Sequence, residues 1–116
     1  MPVYYVTCYF IKPEKSVEYQ KWLNSPEYRR IAKKYEKETG FKYLNTYFPI
    51  FGLGDYDCED WFMAPDWATF DKARTSRAME EWTAKGWDFW DMTRSGKSRV
   101  MRTAQDVKTF GPPKKK

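Results

Sequence analysis

The sequence contains no histidine. That absence excludes imidazole general bases, His-ligated haem, His-containing zinc sites and every nucleophile that needs a histidine partner. Cysteine is scarce: Cys8 and Cys58 are the two present, and neither lies in a C-x-x-C pair. They make no disulfide framework, so a reducing compartment, the cytoplasm, is expected. No apolar run approaches the roughly 20 residues that cross a bilayer. The first residues also lack the basic head, apolar stretch and small-residue cleavage site of a signal peptide. No membrane partner is expected.

A strong excess of one charge is missing too. The 21 Lys and Arg against 16 Asp and Glu give +5, and Lys114, Lys115 and Lys116 carry three of those units. The body is nearly balanced, with basic residues interspersed among acids, which argues against a nucleic-acid partner. Residues 111–116, two prolines and three lysines after Gly111, read as a solvated tail. What abounds is aromatic surface: Trp, Tyr and Phe make up 20% of 116 residues. That is enough to build the core of a single domain over residues 1–110 without metals or cross-links.

Residues 3–11 are almost entirely β-branched or aromatic and stop at Lys12-Pro13, which predicts a strand apolar on both faces. A helical stretch follows and breaks at Asn24-Ser25-Pro26, where Ser25 can cap and Pro26 can begin a new helix. Tyr28, Ile31, Ala32 and Tyr35 then form one apolar stripe, and Gly40 ends the helix. Residues 41–48 alternate as a strand, residues 49–54 form a loop, and residues 56–63 form an acidic strand with Asp57, Glu59 and Asp60. Asp66 caps the next helix, whose inner residues would be Trp67, Phe70 and Ala73; Ser76 restarts it, and it runs long to Gly96. Residues 98–107 make the last strand.

This order is β-α-β-β-α-β, an α+β ferredoxin-like arrangement of four antiparallel strands with two broken helices on one face. The other face is left bare. Val6, Cys8 and Phe10 would point there, and a second copy packed sheet to sheet is the expected cover, giving a homodimer.

The opening strand ending at Lys12-Pro13, the acidic strand passing into Asp66-Trp67-Ala68-Thr69-Phe70-Asp71, and the segment Arg74 to Trp82 resemble the dimeric α/β-barrel superfamily. Its branches include antibiotic-biosynthesis monooxygenases, haem-degrading monooxygenases, EthD-like proteins, muconolactone isomerases and NIPSNAP-like proteins. The resemblance covers residues 3–107 and implies a pocket between sheet and helices. It also implies cofactor-independent oxygenation or isomerisation of a small hydrophobic, aromatic or quinone-like molecule, so no cofactor is expected. The Asn, Trp and His that the haem-degrading branch uses fall on Thr7, Ala64 and Thr83 here, so haem oxygenation is not carried over.

With Thr7 and Ala64 turned toward the pocket, alternation adds Tyr5, Tyr9, Cys58, Asp60 and Phe62. Asp60 is the candidate catalytic acid or base, since an apolar pocket raises a carboxyl pKa. The alternative is an architectural Asp60 bonded to a Tyr or Arg, or a strand shifted by one with Asp60 in water. Tyr5, Tyr9, Tyr43, Asn45 and Tyr47 would orient a carbonyl or phenolate, or serve as packing; Trp82 would close the pocket, with Trp87, Phe89 and Trp90 as further roof or as core. Asp57 and Glu59 share a face, which is the most a metal site would have, and no metal is expected. RNA recognition by this fold is countered by the acidic third strand. A non-catalytic ligand-binding or structural homo-oligomer is the remaining alternative.

Overall fold

The computed structural model describes residues 2–50 and 53–102, and its elements follow the β-α-β-β-α-β order. Strands β1 (Val3–Tyr9), β2 (Lys42–Tyr47), β3 (Cys58–Ala64) and β4 (Lys97–Met101) form one sheet in the order β2-β3-β1-β4, with every neighbouring pair antiparallel. Between β1 and β2 lie a 3-10 turn at Pro13–Lys15, then α1 (Ser16–Leu23) and α2 (Pro26–Thr39). Between β3 and β4 lie α3 (Ala68–Ala73) and α4 (Arg77–Gly86). This is the ferredoxin-like α+β topology.

The helix ends have local causes. Ser25 Oγ accepts from Tyr28 N at 3.2 Å, and Pro26 supplies a first residue that needs no partner for its nitrogen. Gly40 closes α2 with φ of 90°, a left-handed backbone that costs a residue with a Cβ about 1–2 kcal/mol. Ser76 caps α4 by accepting from Met79 N at 3.2 Å, and Asp66 Oδ1 accepts from Thr69 N at 3.3 Å ahead of α3. Glu38, in the last turn of α2, also reaches α4: its Oε1 accepts from Arg77 N at 2.9 Å and from Ala78 N at 3.2 Å. These bonds hold the Glu38 carboxyl below its ordinary pKa.

The apolar stripe Tyr28, Ile31, Ala32, Tyr35 is buried against the sheet together with Val3, Phe41, Phe62 and Trp82. Each large side chain so buried contributes roughly 1.5–3 kcal/mol. A second cluster, Ile11, Tyr19 and Cys58, lies toward the other end of β1.

Four expectations need correction. The long helix to Gly96 stops ten residues early, at Gly86: the Trp90 indole occupies the space that a side chain at position 86 would need, and the chain turns back. Its backbone then joins the end of β1 through Lys12 N to Phe89 O at 2.8 Å and Asp91 N to Phe10 O at 2.9 Å. Trp67, expected inside, is 61% exposed and stacks on Phe70. β2 is not regular, because its register on β3 slips between Tyr43 and Asn45. Finally, Val6 and Cys8 are buried within the single chain, flanked in register by Glu59 and Trp61 on β3 and by Lys97 and Arg99 on β4. Glu59 accepts from Arg99 at 3.0 Å and from Trp61 at 3.2 Å, so this face carries an ion pair among its rings. Residues 103–107 of the expected last strand, part of the 49–54 loop, and the 111–116 tail lie outside the described residues.

Candidate functional site

Antiparallel pairing sets Tyr5 opposite Phe62, Thr7 opposite Asp60 and Tyr9 opposite Cys58. All six therefore point to the helix side of the sheet. Where the helices stand away from it, a cavity of about 310 Å³ opens. Its floor is Tyr5, Thr7, Tyr9, Asp60 and Phe62; Tyr35 of α2, with Met79 and Trp82 of α4, form the roof. Trp90, Met92, Arg94 and Gly96, from the segment after α4, close one side with Phe10. The Arg94 guanidinium lies 3.6 Å over the Phe10 ring and pairs with Asp57 at 3.7 Å and Asp91 at 3.9 Å.

Asp60 is 5% exposed in this aromatic setting, and no Lys or Arg pairs with it among the described residues. Two hydroxyls serve it instead. Thr46 Oγ1 donates to Oδ1 at 2.7 Å and Tyr9 donates to the same oxygen at 2.8 Å, so neither bond occupies Oδ2. Behind Tyr9 stands the Tyr19 hydroxyl, which in turn accepts from Trp90 Nε1 at 3.4 Å; behind Thr46 stands the Tyr43 hydroxyl. Burial pushes the Asp60 pKa up to about 6, and the Thr46 and Tyr9 hydrogen bonds restrain it. The Tyr9 phenol is pushed well above its ordinary value, first by burial and then by Asp60. The Cys58 thiol is also raised, again mainly by burial. Asp60 is thus the group here that changes charge near neutral pH, while its phenol neighbours stay protonated and act as donors.

Of the residues singled out in the sequence, Tyr5, Thr7, Tyr9, Asp60, Phe62 and Trp82 share the cavity wall. Cys58 is on the same sheet face but fully buried beneath it, beside Ile11 and Tyr19. Asn45 and Tyr47 are corrected: the slip in β2 pairs them with Trp61 and Glu59, on the outer face, where Tyr47 meets the Trp61 ring at 6.1 Å. The residue that reaches Asp60 from β2 is Thr46, and strict alternation hides it. Ala64 pairs with Val3 in the core, and the Thr83 hydroxyl turns to Met79 Sδ at 3.7 Å. Phe89 packs on Trp22, and Trp87 is half exposed. Asp57 Oδ2 accepts from Ile11 N at 3.0 Å while Glu59 turns to Arg99, so the two do not converge on a metal. Tyr35 and Met79 carried a legible signal, their places on the helices' apolar stripes; Met92 and Arg94 carried none.

These features define a ferredoxin-like α+β protein with an aromatic cavity and a carboxyl at its floor. No family model and no curated protein matches the chain. Solved structures do. An uncharacterized NIPSNAP domain protein from Burkholderia xenovorans is 17% identical, with a TM-score of 0.61 over 97% of this chain and 100% of that one. A dimeric protein of unknown function and ferredoxin-like fold from Bacteroides fragilis is 6% identical, with a TM-score of 0.60 over 88% and 96%. A protein assigned as an antibiotic biosynthesis monooxygenase from Bacteroides thetaiotaomicron is 12% identical, with a TM-score of 0.55 over 89% and 88%. The likeness is one of fold. No helix among the described residues is long and apolar enough to cross a membrane.

Proposed function

We propose that the chain binds a small hydrophobic molecule, aromatic or quinone-like, between sheet and helices, and that Asp60 moves a proton on it. The carrying observation is a 5% exposed carboxyl, without a cationic partner, on the floor of a ring-lined cavity. Its ionised form removes an acidic proton from a phenol or from a C–H beside a carbonyl, leaving a phenolate or an enolate, each with carbanion character at a ring or α carbon. Return of that proton to another carbon is an isomerisation. Capture of the carbanion by dioxygen is a cofactor-independent oxygenation, the activity suggested by the monooxygenase assignment of one fold neighbour. In either case the Tyr9 hydroxyl orients the Asp60 carboxyl, and Tyr5, Thr7, Phe62 and Trp82 enclose the ligand.

Two copies packed outer face to outer face would complete the protein as a homodimer. Tyr4 and Tyr47, each edge-on to Trp61, support this reading, as does the dimeric fold neighbour. Two unpaired thiols, Cys8 and Cys58, support a reducing compartment such as the cytoplasm, and we read residues 1–110 as one domain. A thermal-shift panel of quinols, aromatic acids, haem and flavin tests the cavity. Saturable stabilisation by an aromatic class, weakened in Asp60→Asn, is the expected result. A blank panel would favour the non-catalytic, self-assembling alternative and remove the proposed chemistry.

A further inference from the structure

The slip between Tyr43 and Asn45 has a chemical result. A regular strand would place Asn45 and Tyr47 beside Tyr43 on the helix side; the irregular one places Tyr43 opposite Phe62 and Thr46 opposite Asp60. Thr46 can thereby reach Asp60 Oδ1, at 2.7 Å, and Tyr43 can reach Thr46. The direction of these bonds follows from the chemistry. An ionised carboxylate only accepts, so the Thr46 proton goes to Asp60 and the Tyr43 proton goes to Thr46. Both residues also line a second groove, of about 540 Å³, between α2 and the open edge of β2, so the chain of hydroxyls links the cavity floor to this groove.

We propose that Thr46 and Tyr43 are positioning residues for Asp60: from the groove side they fix its Oδ1 and stabilise the charged carboxylate beside the cavity. This rests on the reading of Asp60 as the proton-transfer group. A buried carboxylate with no cation needs donors, and here it has two, so either one carries a large share of its stabilisation. The titratable groups packed around Asp60 include Tyr9 of β1, Tyr43 of β2, Cys58 of β3, Tyr19 of α1 and Tyr28 of α2; Tyr5, Tyr35, Asp91 and Arg94 line the same cavity. The first five are all pushed upward, so they stay neutral while Asp60 titrates.

The test is the Asp60 carboxyl titration, followed by carbon NMR in the unliganded protein. Thr46→Val should move the midpoint up by about one unit. Thr46→Ser, which keeps the hydroxyl, should leave it in place, and Tyr43→Phe should raise it by less than Thr46→Val does. Thr46→Ala removes the hydroxyl without a second methyl and makes the same comparison if the valine variant does not fold. A folded Thr46→Val or Thr46→Ala protein that titrates with the parent overturns the proposal, as does a serine variant that titrates with the valine one. The measurement needs no ligand. A blank thermal-shift panel beside a shifted titration would remove the proposed function and leave this assignment standing, and an unshifted titration beside a responsive panel would do the reverse.

Discussion

Tyr9 donates its phenol hydrogen to Asp60 Oδ1 at 2.8 Å, from the neighbouring strand of the sheet. The bond eases the burial of a carboxylate without cancelling its cost, because the Asp60 pKa still stands at about 6 against an ordinary 3.8. A raised acid stabilises the fold in its protonated form. Its contribution is fully present below about pH 4 and is lost as pH rises through about 6, at a cost on the order of 3 kcal/mol. Urea titrations from pH 4 to pH 8 should therefore show stability falling across that window. Asp60→Asn should flatten the curve and be the more stable protein at pH 8. Parallel curves for the two proteins would mean that Asp60 is already solvated.

Gly86 lies against the Trp90 indole so closely that no Cβ fits between them. Gly86→Ala should force the ring off the cavity wall and cost about 1–3 kcal/mol, the usual range for overpacking. Thermal unfolding reads the loss. An alanine variant as stable as the parent would show that α4 does not end for this reason.

The outer sheet face carries the assembly prediction. The intact chain should sediment as a dimer at micromolar concentration, and Trp61→Lys, which places a charge among Tyr4, Tyr47 and Arg99, should sediment as a folded monomer. A monomeric parent would show that the Glu59–Arg99 pair and its flanking rings suffice to keep that face in water.

Ser76 and Glu38 together satisfy the first turn of α4. Ser76→Ala should cost about 1 kcal/mol by chemical denaturation. Glu38 has a lowered pKa, so its share of the stability is present above the ordinary carboxylate value and disappears as pH falls through the depressed one. Glu38→Gln should therefore lose most at neutral pH and converge with the parent in acid. A constant difference at every pH would assign the effect to packing alone.

The order of elements along the chain was legible from hydrophobic patterning, and the helix boundaries at Ser25, Gly40 and Ser76 because each rests on a local rule about caps or backbone freedom. Asp60 and its β1 neighbours were legible because both strands are regular, so that once the family resemblance turns Thr7 and Ala64 toward the pocket, period-two alternation carries the others to the same face. Thr46 was hidden by a slip that depends on how β2 meets β3, which no property of residues 42–47 alone announces. The segment after Gly86 departs from the expected helix although its ring spacing suits one, because the meeting of Trp90 with Gly86 and of Asp91 with the end of β1 turns the chain aside. The burial of Val6 and Cys8 likewise depends on neighbouring strands, Glu59 and Trp61 of β3 and Lys97 and Arg99 of β4 standing beside them in register.

Trp82 and Trp90 border the cavity, whereas Trp67 and Trp87 are 61% and 51% exposed. The molecule thereby carries its own optical gauge. Of the six indoles, Trp82 and Trp90 line the space a guest would fill, so filling of the interior is readable as a change in tryptophan emission, with no label attached.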